Sequence, residues 1–235
     1  MIGSQSPSGG ASASQTGLQF APSELIYLHG EKYAQPAGML TAKVKLLHQE
    51  AKVSAPELGQ AILAATLLAC EHSGGIRLRV GTQKALFGLR TVTVLFADPG
   101  QPSFRFPDHS LEAQVCALVS KGPVKVSDLI YTLLQEDSTE PWQDVAELVK
   151  GSLNARGWLE SETVTRLKIF KTVNCRLPER TAQLAAAQPL DWINHLLNSA
   201  TQQRPDVWKL LVSEITSGRN SRQKSSDSGD YGSSD

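Results

Sequence analysis

Residues 58–70, LGQAILAATLLAC, run without a charge or a proline and are rich in small and apolar side chains. Such a run falls short of the ~18–20 residues a bilayer span needs, so it predicts a helix buried in a core, and any membrane contact is expected to be peripheral. Ser54 can cap that helix with Pro56 in its first turn, and Ser73-Gly74-Gly75 stops it after about His72. At 235 residues the chain has room for one large compact domain or two small ones around it.

The segments on either side repeat in pattern. In a first unit, about residues 38–97, Leu40, Val44, Leu47 and Ala51 are spaced by three and four, which predicts a helix over 38–50 ahead of the core helix. IRLRV (76–80) and LRTVTVLF (89–96) alternate and predict two strands of a β-hairpin joined by GTQKALFG. In a second unit, about 108–176, Ser110 can cap a helix with Leu111, Val115, Leu118 and Val119 on one face, ended by Gly122-Pro123. Ser127 is placed to cap a second, and Pro141 to open a third whose stripe is Trp142, Val145, Leu148, Val149 and Leu153; Gly157 stops it. A strand from Trp158, a turn near Ser161 and a strand over 164–173 follow. Three helices and a hairpin in this order make a winged helix.

Leu190, Ile193, Leu196 and Leu197, then Val207, Trp208, Leu211 and Ile215, mark two closing helices over about 178–217. The expected fold is therefore mostly α with short β-hairpins: tandem winged-helix-like units packed into one helical domain over 21–217. Residues 1–20 and 218–235 are too poor in apolar side chains to offset their ordering entropy, and both segments are expected to be disordered.

Twenty-three basic and 23 acidic side chains give no net charge, so no whole-protein field draws the chain to nucleic acid or to membrane. Cys70, Cys116 and Cys175 are odd in number and far apart, which suits reduced thiols in a cytoplasmic setting. The start lacks the charged and apolar regions of a secretory signal, and Gly3 stands one place late for myristoylation.

Catalytic signatures such as GxSxG, GxxxxGK[ST], GxGxxG and HExxH are missing, and no enzymatic activity or cofactor is expected. Asp108-His109-Ser110 has the composition of a triad, but three adjacent residues do not converge easily in space, so Ser110 is taken as a helix cap. Cys70 and His72 have no second pair at ligand spacing, which points to a buried thiol and not to zinc.

Local charge is more informative. Between Ser73 and Ala97 the charged residues are Arg77, Arg79, Lys84 and Arg90; between Thr163 and Pro178 they are Arg166, Lys168, Lys171 and Arg176. Cationic hairpins of this kind attract phosphate-bearing surfaces. Lysine and arginine on strands also keep exposed edges from pairing, so a purely structural role stays open. Direct reading of DNA bases fits less well, because the segment 142–156 balances Asp144 and Glu147 against Lys150 and Arg156.

The helix LGQAILAATLLACEHSGGIRLRV, running into a strand, and the later LNARGWLESE resemble the corresponding elements of the Golgi phosphoprotein 3 family, over roughly residues 54–215. That resemblance implies a helical fold with short hairpins, peripheral membrane association and no enzymatic activity; Golgi members bind phosphatidylinositol 4-phosphate and bridge to cytosolic partners. The family's phosphate-holding Trp and Arg find no match in AKVSAPELGQ, and WQDVAELVKGSLNARGW offers only Lys150 and Arg156. The family's hydrophobic hairpin corresponds to GTQKALFGLR, where Leu86, Phe87 and Leu89 stand between Lys84 and Arg90.

The resulting expectation is a non-enzymatic lipid-binding or adaptor protein, peripheral on a membrane. Its anionic headgroup or phosphoinositide contacts are Arg77, Arg79, Lys84, Phe87, Arg90, Arg166, Lys168 and Lys171. The alternatives are a winged-helix nucleic-acid-binding regulator and a module that binds protein partners or another copy of itself.

Overall fold

In a computed structural model of the chain, helices pack on several sides of one central helix. The structure describes residues 18–47, 51–85, 89–166 and 170–224. The central helix is α2, Ala55–His72, and α1 is Pro22–Leu28. Ser54 Oγ accepts the backbone N–H of Glu57 at 3.5 Å, and Pro56 occupies the first turn, so the amino end of α2 starts where its cap was expected. Its carboxyl end closes at Ser73, with Gly74 in the left-handed region at φ +77°.

Because α2 is apolar around most of its circumference, it accepts neighbours on several sides. These are α1, α3 (Leu111–Val119), α5 (Pro141–Ala155), α7 (Asp191–Gln203) and α8 (Pro205–Asn220). Leu58, Ile62, Leu63 and Leu67 of α2 are buried among them. Contact with α5 depends on Gly59, where an added Cβ would lie 2.7 Å from the Trp142 ring. The remaining helices are α4 (Val126–Leu133) and α6 (Glu179–Ala186).

Among the described residues, three small antiparallel sheets complete a fold that is mostly α with short hairpins. Strands β1 (Lys43–Lys45) and β2 (Lys52–Ser54) form one, and β6 (Glu160–Arg166) with β7 (Phe170–Arg176) forms another. The third has the order β3 (Ile76–Ala85), β4 (Arg90–Pro99) and β5 (Val124–Lys125). Strand β5, just before α4, pairs with β4 and not with β6 or β7.

Several expectations are corrected. The segment expected as a helix over 38–50 contains β1, with Met39 and Leu40 in an exposed turn before it. Its apolar residues fit a helical spacing, but Val44 alternates with Lys43 and Lys45, and pairing with β2 buries Val44 opposite Val53. The connection assigned to GTQKALFG is strand through Ala85. Ser161 is not in a turn, since it pairs with Cys175 inside the β6–β7 ladder.

Ser127 does not cap α4 with its side chain. Its backbone N–H is instead accepted by Glu214 Oε2 of α8 at 3.3 Å. Among the described residues three helices, not two, follow Pro178.

Both chain ends are ordered further than expected. Phe20 is buried, its ring centroid 4.9 Å from that of Trp158. Arg156 clasps this segment through Glu24 Oε2 at 2.5 Å and the Gln19 carbonyl at 2.6 Å, while Ser152 Oγ donates to Glu24 Oε1 at 2.7 Å. At the other end α8 continues to Asn220, and Gly218 lets it approach the Ser127 carbonyl closely. The remaining parts of the segments expected to be disordered, 1–17 and 225–235, lie outside the described residues.

Candidate functional site

Hairpin β3–β4 continues α2 through Gly74 and Gly75, and its register is unbroken from Ile76 opposite Pro99 to Ala85 opposite Arg90. Near its root, Ile76, Leu95 and Ala97 are buried against the helices, whereas Thr82, Gln83, Lys84, Arg90, Thr91 and Thr93 are exposed. The distal half is therefore an arm standing off the body. Exposed apolar residues on it are Val80 and Leu89, the latter at 89 %.

Strand geometry divides the four expected cations. With a period of two, Arg77 and Arg79 share one face with Asp98 and Arg90, and Lys84 falls on the other. Arg79 is also engaged: Nε and Nη2 donate to the two Asp98 oxygens at 2.6 and 3.1 Å, and the guanidinium sits 5.1 Å from the Phe96 ring centroid. The Arg79 hydrogen bond holds the Asp98 carboxyl below its ordinary value. An acid just beyond the basic window thus occupies one of its cations. Arg77, Lys84 and Arg90 are exposed.

The second hairpin contributes less to a described surface. Arg166 pairs with Phe170 and Lys171 with Thr165, and Glu160 and Glu162 belong to the same ladder. Lys168 and the expected anchor Phe87 lie outside the described residues. The two hairpins are also rooted in different places: β4 packs on α3, α4 and α8, whereas Asn174 and Cys175 of β7 border a depression with Lys45 and Lys150.

A cation cluster not anticipated from the sequence lies on β1–β2. Val44 and Val53 point inward, which turns Lys43, Lys45 and Lys52 outward, and the register sets Lys45 directly opposite Lys52. All three lysines are exposed, and no ion pair to another described residue is formed by any of them. Directly opposed like charges weaken a sheet, so this arrangement costs stability unless an anion lies over it. Ala37 N–H donates to the Lys52 carbonyl at 2.9 Å, and the loop beginning there carries Met39 and Leu40, 94 % and 100 % exposed. The alternation K-V-K was the signal that could have found this surface.

Beside Lys45, a depression of about 460 Å³ is bordered by Leu47, Lys150, Asn174 and Cys175; Lys150 is held by an ion pair to Glu147. On the other side of Glu147 a larger depression, about 540 Å³, runs along α5 and is bordered by Glu136, Asp137 and Asp144. His109 and Gln135 border it too, both with positive φ. Ser110 caps α3 by accepting the Ala113 N–H at 3.2 Å.

No group of His, Cys, Asp or Glu that could hold a metal ion occurs among the described residues. Among the same residues no helix is long and apolar enough to cross a membrane. By fold and surface, then, the chain is a mostly helical protein with small antiparallel sheets and localised cationic faces. Compared with protein-family models, curated proteins and solved structures, it matches none.

Proposed function

We propose that this chain is a non-enzymatic protein that docks peripherally on an anionic membrane surface through β1–β2, with the β3–β4 arm as a second contact. The observation that carries the reading is the outward lysine group Lys43, Lys45 and Lys52, which forms no ion pair with another described residue and adjoins the exposed Met39-Leu40 turn. Each lysine near an anionic bilayer contributes roughly 1 kcal/mol, and two exposed apolar side chains can enter the headgroup layer. Arg77, Lys84, Arg90 and Leu89 extend the same chemistry along the arm. Membrane association, the absence of catalysis and an adaptor role also follow from the resemblance to the Golgi phosphoprotein 3 family.

In that reading the second unit is winged-helix-like, supported by the chain order α3, β5, α4, α5, β6, β7. The β4–β5 pairing then welds one unit to the other. A nucleic-acid-binding role is less favoured, because the face of α5 that would approach phosphates presents Asp144 and Glu147.

The test is co-sedimentation with neutral and anionic vesicles at low and moderate salt. Binding to anionic vesicles that weakens with salt and is lost in K43S/K45S/K52S is the expected result. A folded protein that pellets with neither vesicle overturns the reading. Loss only in R77S/R79S/K84S/R90S would move the primary contact to the arm.

A further inference from the structure

We propose that Cys70 and Cys116 are a redox-active dithiol, a site of reversible disulfide formation that hydrogen peroxide or an organic hydroperoxide oxidises. This inference does not depend on the membrane reading.

Cys70 stands in the last turn of α2 and is fully buried; Cys116 stands on α3 and is half-buried. The Cys70 thiol donates to the Glu112 carbonyl at 3.5 Å, one turn before Cys116, and the two cysteine side chains interact directly. A Cβ placed on Gly75 would be 2.8 Å from Cys116 Sγ and 3.5 Å from the Cys70 carbonyl. The Cys116 sulfur therefore sits in the notch where α2 ends, and only a glycine at that turn leaves room for it.

The pair is asymmetric in the way a two-step oxidation requires. Burial pushes the Cys70 thiol up, while Cys70, able to turn its hydrogen from the Glu112 carbonyl toward an ionised Cys116, lowers Cys116, so the more accessible sulfur is the one that ionises first. Cys116 loses its proton and attacks the peroxide: an S–O bond forms, the O–O bond breaks, and with hydrogen peroxide one water leaves. Cys70 then attacks the sulfenic sulfur: an S–S bond forms, the S–O bond breaks, and hydroxide departs with the Cys70 proton as a second water. Two thiols and one peroxide become one disulfide and two waters. The bond would sew α2 to α3 at the root of the β3–β4 arm. Cys175, beside Lys45 and Asn174, borders a different part of the molecule.

The folded, reduced protein is treated with hydrogen peroxide, the remaining thiols are alkylated, and non-reducing peptide mass spectrometry follows. A peptide pair linked through Cys70 and Cys116, lighter by two hydrogens, is expected; a thiol reductant should reverse it, Cys116→Ser should abolish it and Cys175→Ser should retain it. Cys70→Ser, which keeps a hydrogen-bond donor beside Cys116 but cannot form the disulfide, should leave Cys116 as a sulfenic acid that dimedone traps. Oxidation of Cys116 to the sulfinic acid without a link to Cys70, a link running to Cys175, or no oxidation of the folded wild-type chain would each overturn the proposal.

Discussion

At the amino end of α2, β1–β2 sets Lys45 against Lys52, neither in an ion pair with another described residue; at the carboxyl end, β3–β4 clamps Arg79 to Asp98 with two hydrogen bonds. Both sheets are cationic, yet they differ in how much of that charge is available to a ligand. Self-repulsion leaves the first sheet's charge ready to be neutralised from outside, whereas part of the second sheet's charge is already answered within the fold. A count of basic residues cannot make this distinction, because availability depends on which pleat face and which partner each residue finds.

The comparison is broken most directly by weakening the helix on which both sheets hang. Leu63 is buried in α2, and Leu63→Ala should cost about 3 kcal/mol through lost transfer energy and a cavity. Both ends should loosen together in denaturant unfolding monitored by hydrogen exchange. Loosening at one end alone would show that the sheets are energetically independent.

A titration should act on one end only. Glu112 is fully buried beside Cys70, and burial raises its carboxyl from 4.5 to about 7, against the opposing hydrogen bonds from Ser23. Since the native chain holds this proton more tightly than the unfolded chain, stability is greatest below about 4.5. It should fall as pH rises toward 7, by on the order of 3 kcal/mol at most, and be flat beyond. Comparing the pH dependence of unfolding in wild type and Glu112→Gln isolates the contribution. The same slope in both proteins would mean that Glu112 titrates as it does in water.

Reversing one charge at the other end tests the lysine pair. Lys45→Glu places an acid opposite Lys52, which should stabilise the sheet by a few tenths of a kcal/mol. Removing two units of positive charge should also weaken anionic-vesicle binding by about thirtyfold, near 2 kcal/mol. Unchanged vesicle binding would remove β1–β2 from the proposed surface.

Much of the helical frame was legible because its signals are local. Ser54, Ser110, Pro56, Pro141 and the apolar stripe of α5 all act within a few residues of their own positions. What escaped depends on remote partners. Glu214 serves the amino end of α4 from a helix more than eighty residues away, and Arg156 holds Glu24 and Gln19 from α5. Around 38–50 the local signal itself is ambiguous: Leu40, Val44, Leu47 and Ala51 satisfy a helix, while Lys43-Val44-Lys45 satisfies a strand, and pairing with β2 decides between them. The cationic site was half legible for the same reason. Its arm was visible as alternating arginines, but Asp98 is one residue past the basic window and the β1–β2 lysines lay inside a supposed helix.

The smallest effect is the most specific. Asp98→Asn keeps a side chain of the same shape and one acceptor for Arg79, and it removes the charge that neutralises the guanidinium. Arg79 is half exposed, so the ion pair is screened and its loss should change stability little. The arm gains one net positive charge, and anionic-vesicle binding at low salt should strengthen by about fivefold, close to 1 kcal/mol. That gain should vanish at high salt and should also vanish in D98N/R79S, where the released cation is gone. If Asp98→Asn strengthens binding even with Arg79 removed, the effect comes from lost repulsion of the acid itself and the clamp does not limit the arm. If binding is unchanged, the arm's root does not reach the bilayer, and contact is confined to β1–β2 and the distal residues Lys84 and Arg90.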